Sequence, residues 1–146
     1  MGCLVFNSPE LFEVYLKLGR EYKIPVMVGR LFVQAASPAF KDKITKDDII
    51  IESILTANVP NYESGMAAYY EKTLRNLSSG VNVLLIHLAF NNAEMQAVTI
   101  GKEPWGALWR QQDFDFFTST ECKEIIEDEG IQLVTWREIQ KVMYPE

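Results

Sequence analysis

The sequence predicts an α/β fold, because stretches of helical periodicity with clear capping signals alternate with short apolar runs, two of which directly follow a helix. Ser8 is placed to cap a helix whose first position is Pro9, after which Leu11, Val14, Tyr15, Leu18 and Tyr22 recur on one face. Residues 25–28, Pro-Val-Met-Val, end at Gly29 and read as a strand buried on both faces. Residues 30–46 have mixed polarity and no sustained period, which predicts a long connection with room for one short helix. Ile49, Ile50 and Ile51 predict another strand within residues 48–55, closed by a turn at Asn58-Val59-Pro60-Asn61. Met66, Tyr69, Tyr70, Thr73, Leu74 and Leu77 then repeat at helical spacing, and Ser78-Ser79-Gly80 ends that helix. Residues 81–89 are nearly all apolar, as in a central parallel strand, with His87 near its carboxyl end. Residues 91–101 read as a loop and residues 105–117 as an aromatic-rich helix. Thr118 and Glu121 have capping-box spacing ahead of Cys122, Ile125 and Ile126, and Gly130 closes that helix. A last strand is expected at residues 131–134, and Thr135 with Glu138 starts a terminal helix using Ile139, Val142 and Met143.

With 146 residues, no internal repeat and no linker, residues 1–146 read as one unit. The apolar fraction of 48% excludes a disordered chain. A net charge of −6, with no cluster of Lys or Arg, argues against nucleic-acid and anionic-membrane partners, which need a concentrated positive field. The most apolar stretch, residues 81–90, is interrupted by Asn82 and His87 and is well short of the roughly 20 residues of a membrane helix. No basic leader region precedes an apolar segment, and Cys3 and Cys122 are too few for a disulfide framework, so a cytoplasmic location is expected. One histidine and two cysteines make a self-contained zinc site improbable. Gly29, Gly65 and Gly101 form no phosphate loop.

Two constellations can carry chemistry. An imidazole at the end of an apolar strand, as in Leu85-Ile86-His87, sits where α/β folds bind ligands and can exchange protons near neutral pH. A buried core histidine is the plainer alternative. The second constellation runs from Trp105 through Trp109, Arg110 and Asp113 to Phe117. Its tryptophans can stack on apolar sugar faces and its arginine can orient carboxylates, although from the residues alone a packing helix with an Arg110–Asp113 surface pair is the better account. Asn91-Asn92-Ala93-Glu94 could line a pocket or simply form a polar loop.

The start Met1-Gly2-Cys3-Leu4, the Pro25-Val26 pair, the His87 strand and the run from Trp109 to Ser119 resemble, in order and spacing, the carboxy-terminal half of the YdjC-like carbohydrate deacetylases. The Trp-Arg-x-x-Asp-Phe-Asp portion is the most specific part. The resemblance implies part of a (β/α) barrel of the glycoside hydrolase and deacetylase type, acting on N-acetylated oligosaccharides similar to chitooligosaccharides. It also implies a divalent metal, Mg or Zn, in the complete enzyme, held by an Asp and two His that precede this chain, so that no metal binds tightly here and the chain alone lacks hydrolysis. His87 matches the late histidine that protonates the leaving amine, with Arg110 orienting groups of the site. Trp105, Trp109 and Asp113 are the expected substrate-binding residues. The chain departs from the family after the histidine, where His87-Leu88-Ala89 replaces His-Pro-Gly/Ala. The expected partners are an acetylated sugar and either the missing amino-terminal half or a second copy of the chain. A non-catalytic carbohydrate-binding or oligomerisation module of the same fold is the alternative.

Overall fold

The computed structural model describes residues 4–145; Met1, Gly2 and Cys3, which open the family-like start of the chain, lie outside the described residues, as does Glu146. The elements are α1 (Pro9–Glu21), β1 (Val28–Gly29), α2 (Arg30–Ala35), α3 (Pro38–Lys41), β2 (Ile50–Ile51), β3 (Ser53–Thr56), α4 (Val59–Ser64), α5 (Met66–Arg75), β4 (Asn82–Leu85), α6 (Ala93–Val98), α7 (Ala107–Phe117), α8 (Thr120–Asp128) and α9 (Trp136–Met143). The mixture of helices and strands is the one predicted. The described strands form two separate pairs, β1 with β2 and β3 with β4, and no closed sheet. The described chain divides into two compact units, one of residues 4–53, 79–82 and 133–145, the other of residues 54–78 and 83–132.

In the first unit, β1 runs parallel to β2, with Val28 opposite Ile50 and Gly29 opposite Ile51. The strand predicted at residues 25–28 is reduced to its last residue plus Gly29. The reason is local: the Tyr15 hydroxyl accepts from the Met27 N–H (2.8 Å) and lies 3.3 Å from the Met27 carbonyl, and Pro25 has no N–H to offer a sheet. Ser8 caps α1 as expected, accepting from the Leu11 N–H at 3.4 Å. The buried face of α1, however, is Phe12, Leu16 and Gly19, whereas Leu11, Val14, Leu18 and Tyr22 of the predicted stripe are exposed. Phe12 sets this rotation by packing with Phe6, Phe32 and Phe40 at centroid distances of 5.9, 5.3 and 5.6 Å. Gly19 is required at its position, because a Cβ there would meet Val26 Cγ1 at 2.7 Å. The expected connection at residues 30–46 contains two short helices, α2 and α3, and the strand expected at residues 131–134 is absent. The capping box of Thr135 and Glu138 is formed at α9.

Asp48 secures this unit. Its side chain is 3% exposed, is paired with Arg20 Nη2 and accepts from Arg20 Nε (3.0 Å) and the Thr45 N–H (2.7 Å). Burial pushes its carboxyl up, but the bonds from Arg20 and Thr45 together outweigh it and hold the group below the usual carboxylate range. A folded-state value below the unfolded one contributes stability that is present above about pH 4 and lost as the pH falls through the folded value. Asp48→Asn is therefore expected to melt below the wild type at neutral pH, with the gap closing on acidification; a constant gap in Tm from pH 7 down to about pH 3 would show that Asp48 is not the group responsible.

The second unit is built around α5, α7 and α8. Met66, Tyr70 and Leu74 of α5 pack with Trp109 and Phe116 of α7 and with Cys122 and Ile125 of α8. Burial raises the Cys122 thiol, which is consistent with a packing role. α5 ends at Arg75, ahead of the predicted Ser-Ser-Gly stop. The expected turn at residues 58–61 is the capping box that opens α4, with Asn58 and Asn61 bonding reciprocally at 3.1 and 2.9 Å. Ser119, rather than Thr118, caps α8, its hydroxyl accepting from the Cys122 N–H at 3.0 Å.

Candidate active site

All five predicted site residues lie in the second unit, with His87 just beyond β4 and the others on or before α7. β4 ends at Leu85, so His87 sits in extended chain two residues later. Its ring is exposed and makes no hydrogen bond among the described residues, which removes the reading of a buried core histidine. Its backbone is held firmly: the His87 N–H donates to Asp113 Oδ2 at 2.8 Å.

Asp113 is 0% exposed. Its other oxygen, Oδ1, accepts from the Tyr70 hydroxyl at 2.5 Å. Burial, reinforced by the bond to Asp113, drives the Tyr70 phenol far above its ordinary value, so the hydroxyl remains a donor at every working pH. The carboxylate thus has both oxygens engaged inside the fold, and neither the expected sugar contact nor the surface pair with Arg110 is available to it in this structure. Helical phase explains the difference, since Asp113 shares the inward face of α7 with Trp109 and Phe116.

Trp109 is also an interior residue, stacked on Tyr62 with centroids 5.1 Å apart and planes 9° from parallel. Trp105 is 54% exposed and presents the accessible indole of the pair. Arg110 is half-buried, and its Nε is a buried donor without a hydrogen-bond partner among the described residues. Residues 91–94 are accounted for locally: Asn92 caps α6 through the Met95 N–H (2.9 Å), and Gln96 Nε2 donates to Asn91 Oδ1 (2.8 Å). A separate open cleft along α7, lined by Ala67, Gln112, Asp115, Phe116, Ser119 and Glu121, contains none of the predicted site residues.

Sequence reasoning missed Tyr70 as part of this cluster, reading it only as one member of a helical repeat. The available signal was its hydroxyl, since a tyrosine on the buried face of a helix needs a polar partner. No group of three or more His, Cys, Asp or Glu side chains able to hold a metal exists among the described residues. The described residues by themselves therefore do not fit a resident divalent ion. No helix among the described residues is long and apolar enough to cross a membrane.

The family model described as YdjC-like protein matches residues 2–128. The chain belongs to the YdjC-like family. A solved structure from Enterococcus faecalis V583, described provisionally as a cellobiose-phosphate cleavage protein, is similar to this YdjC-like chain with a TM-score of 0.59 and 20% sequence identity. The likeness covers 93% of this chain and 49% of the other, so the YdjC-like chain spans about half the length of that protein. At that identity the likeness speaks for the fold. No curated protein matches the YdjC-like sequence.

Proposed function

We propose that this chain supplies the carboxy-terminal half of a carbohydrate deacetylase site, acting on N-acetylated oligosaccharides within a completed (β/α) barrel. The observation that carries the reading is the placement of the only histidine: an exposed imidazole at the end of β4, on a backbone anchored to the Trp-Arg-x-x-Asp helix. Removal of an acetyl group from an amide needs a proton for the departing nitrogen, because an amide anion is too poor a leaving group to be expelled. His87 is the group on this chain that can deliver it. Arg110, with its Nε unpartnered, orients a negatively charged group of the site through a charge-assisted bond. Trp105 offers its exposed ring to the apolar face of a sugar. The metal ligands of the complete enzyme would come from the amino-terminal half, and no step is assigned to a metal here.

The test is complementation. The 146-residue chain is mixed with N-acetylglucosamine oligomers and Mg or Zn, with and without a separately produced amino-terminal half of a YdjC-like protein, and released acetate is measured. Acetate is expected only from the mixture of both halves. No release from the mixture, together with a demonstrated complex of the two halves, overturns the reading.

The exposed Trp105 also favours a second reading, a carbohydrate-binding module without turnover. Under either reading, N-acetylglucosamine oligomers should change the tryptophan fluorescence of the chain, and Trp105→Ala should abolish most of that change. A response retained in full would exclude Trp105 as the sugar-stacking ring.

A further inference from the structure

Three alternate backbone amides beyond β4 are all taken by α7 or its side chains. The His87 N–H donates to Asp113 Oδ2 (2.8 Å), the Ala89 N–H to the Arg110 carbonyl (3.3 Å) and the Asn91 N–H to Gln111 Oε1 (2.7 Å). Residues 87–91 belong to no strand, and the Asn92 N–H turns back to the Phe90 carbonyl (2.9 Å), so it is α7 that receives the amides of this segment and fixes its path. Gln111 is itself oriented, its Nε2 donating to Asp115 Oδ1 at 2.7 Å. At the His87 end, the acceptor is a fully buried carboxylate whose second oxygen is fixed by Tyr70.

We infer that Asp113 is a positioning residue that, clamped by Tyr70, fixes through the His87 amide the direction in which the imidazole leaves the chain. The inference rests on the proposed role of His87, and it explains what the aspartate of the Trp-Arg-x-x-Asp run does without touching substrate. A carboxylate suits the place because it accepts from the two donors at once, one on each oxygen. Arg110, Gln111 and Asp113 thereby share one task in addition to any contact Arg110 makes itself: they set the path of residues 87–91.

The single histidine makes the test direct, since its ring signals in an NMR spectrum of the full chain have one source. Asp113→Leu, which removes both acceptor oxygens, is expected to speed hydrogen exchange of the His87 amide by about tenfold or more, on the scale of losing one buried hydrogen bond, and to shift and broaden the His87 ring signals. Asp113→Asn keeps Oδ1 for the His87 N–H while its NH₂ donates to the Tyr70 hydroxyl oxygen, and should retain slow exchange and sharp signals. A general weakening of the fold would instead speed exchange of the α5 and α7 amides along with that of His87. Gln111→Ala should speed exchange at Asn91 and leave the His87 ring unmoved. If Asp113→Leu does not fold, Tyr70→Phe alone provides the reading, with broadened His87 ring signals expected. A folded Asp113→Leu or Tyr70→Phe chain with unchanged His87 signals overturns the inference. These measurements use no substrate, so failure of the deacetylase reading would appear in acetate release and leave them intact.

Discussion

His87→Ala should lower the kcat of the proposed two-half deacetylase by ~10²–10⁴-fold, the usual scale for loss of a general acid. That corresponds to about 3–5 kcal/mol of transition-state stabilisation. The effect is expected in kcat with little change in KM, because proton delivery is needed when the carbon–nitrogen bond breaks and not when the sugar binds. His87→Gln should be equally slow, since its amide can form a hydrogen bond but cannot donate a proton. Steady-state acetate release over a range of substrate concentrations separates the two constants. A kcat within a factor of two of the wild type for either variant would remove His87 from the chemistry. The replacements are well suited to the question, as the ring is exposed and makes no hydrogen bond among the described residues, so folding should be barely disturbed.

Tyr70→Ala is expected to be the most damaging single substitution to stability in the second unit, at about 3–5 kcal/mol, because it opens a cavity in a tightly packed core. Tyr70 is 1% exposed. It lies among Tyr69, Phe116 and Phe117, with centroid distances of 5.2, 5.4 and 4.7 Å. Tyr70→Phe keeps the ring and removes the bond to Asp113, for which about 1–2 kcal/mol is expected. Urea unfolding followed by tryptophan fluorescence would measure both, since Trp109 belongs to the same core. Equal losses would mean that the hydroxyl, and not the ring, carries the contribution of Tyr70.

Local signals in the sequence were legible at several helix starts but not at all of them, since Ser119 rather than Thr118 caps α8 and α6 opens at Asn92 within the expected loop. Ser8 before Pro9 and Thr135 before Glu138 cap helices as their spacing predicts. The helical repeat of α5 places Met66, Tyr70 and Leu74 inside, as read. Long-range packing decided the rest. α1 carries two adjacent apolar stripes about 100° apart, and the phenylalanines brought by α2 and α3 select the Phe12–Leu16 stripe over the one with the more regular repeat. Strand lengths were overestimated because a side chain such as Tyr15 can take a backbone N–H that an apolar run alone assigns to a sheet. At the candidate site, His87 and Arg110 were singled out by residue type and by the family resemblance, and their roles are part of the proposal. That Trp109 and Asp113 face inward required the phase of α7 against α5, which no local spacing contains.

The bonds from residues 87, 89 and 91 to α7 have a consequence for self-association. Alternate amides along one edge of extended chain form a template on which a strand from another molecule can grow, and short apolar segments such as 83–90 are the kind that aggregate in this way. With a carboxylate, a helix carbonyl and a glutamine side chain already occupying them, the three amides around the histidine are unavailable to intermolecular β-pairing while His87 itself stays exposed to solvent.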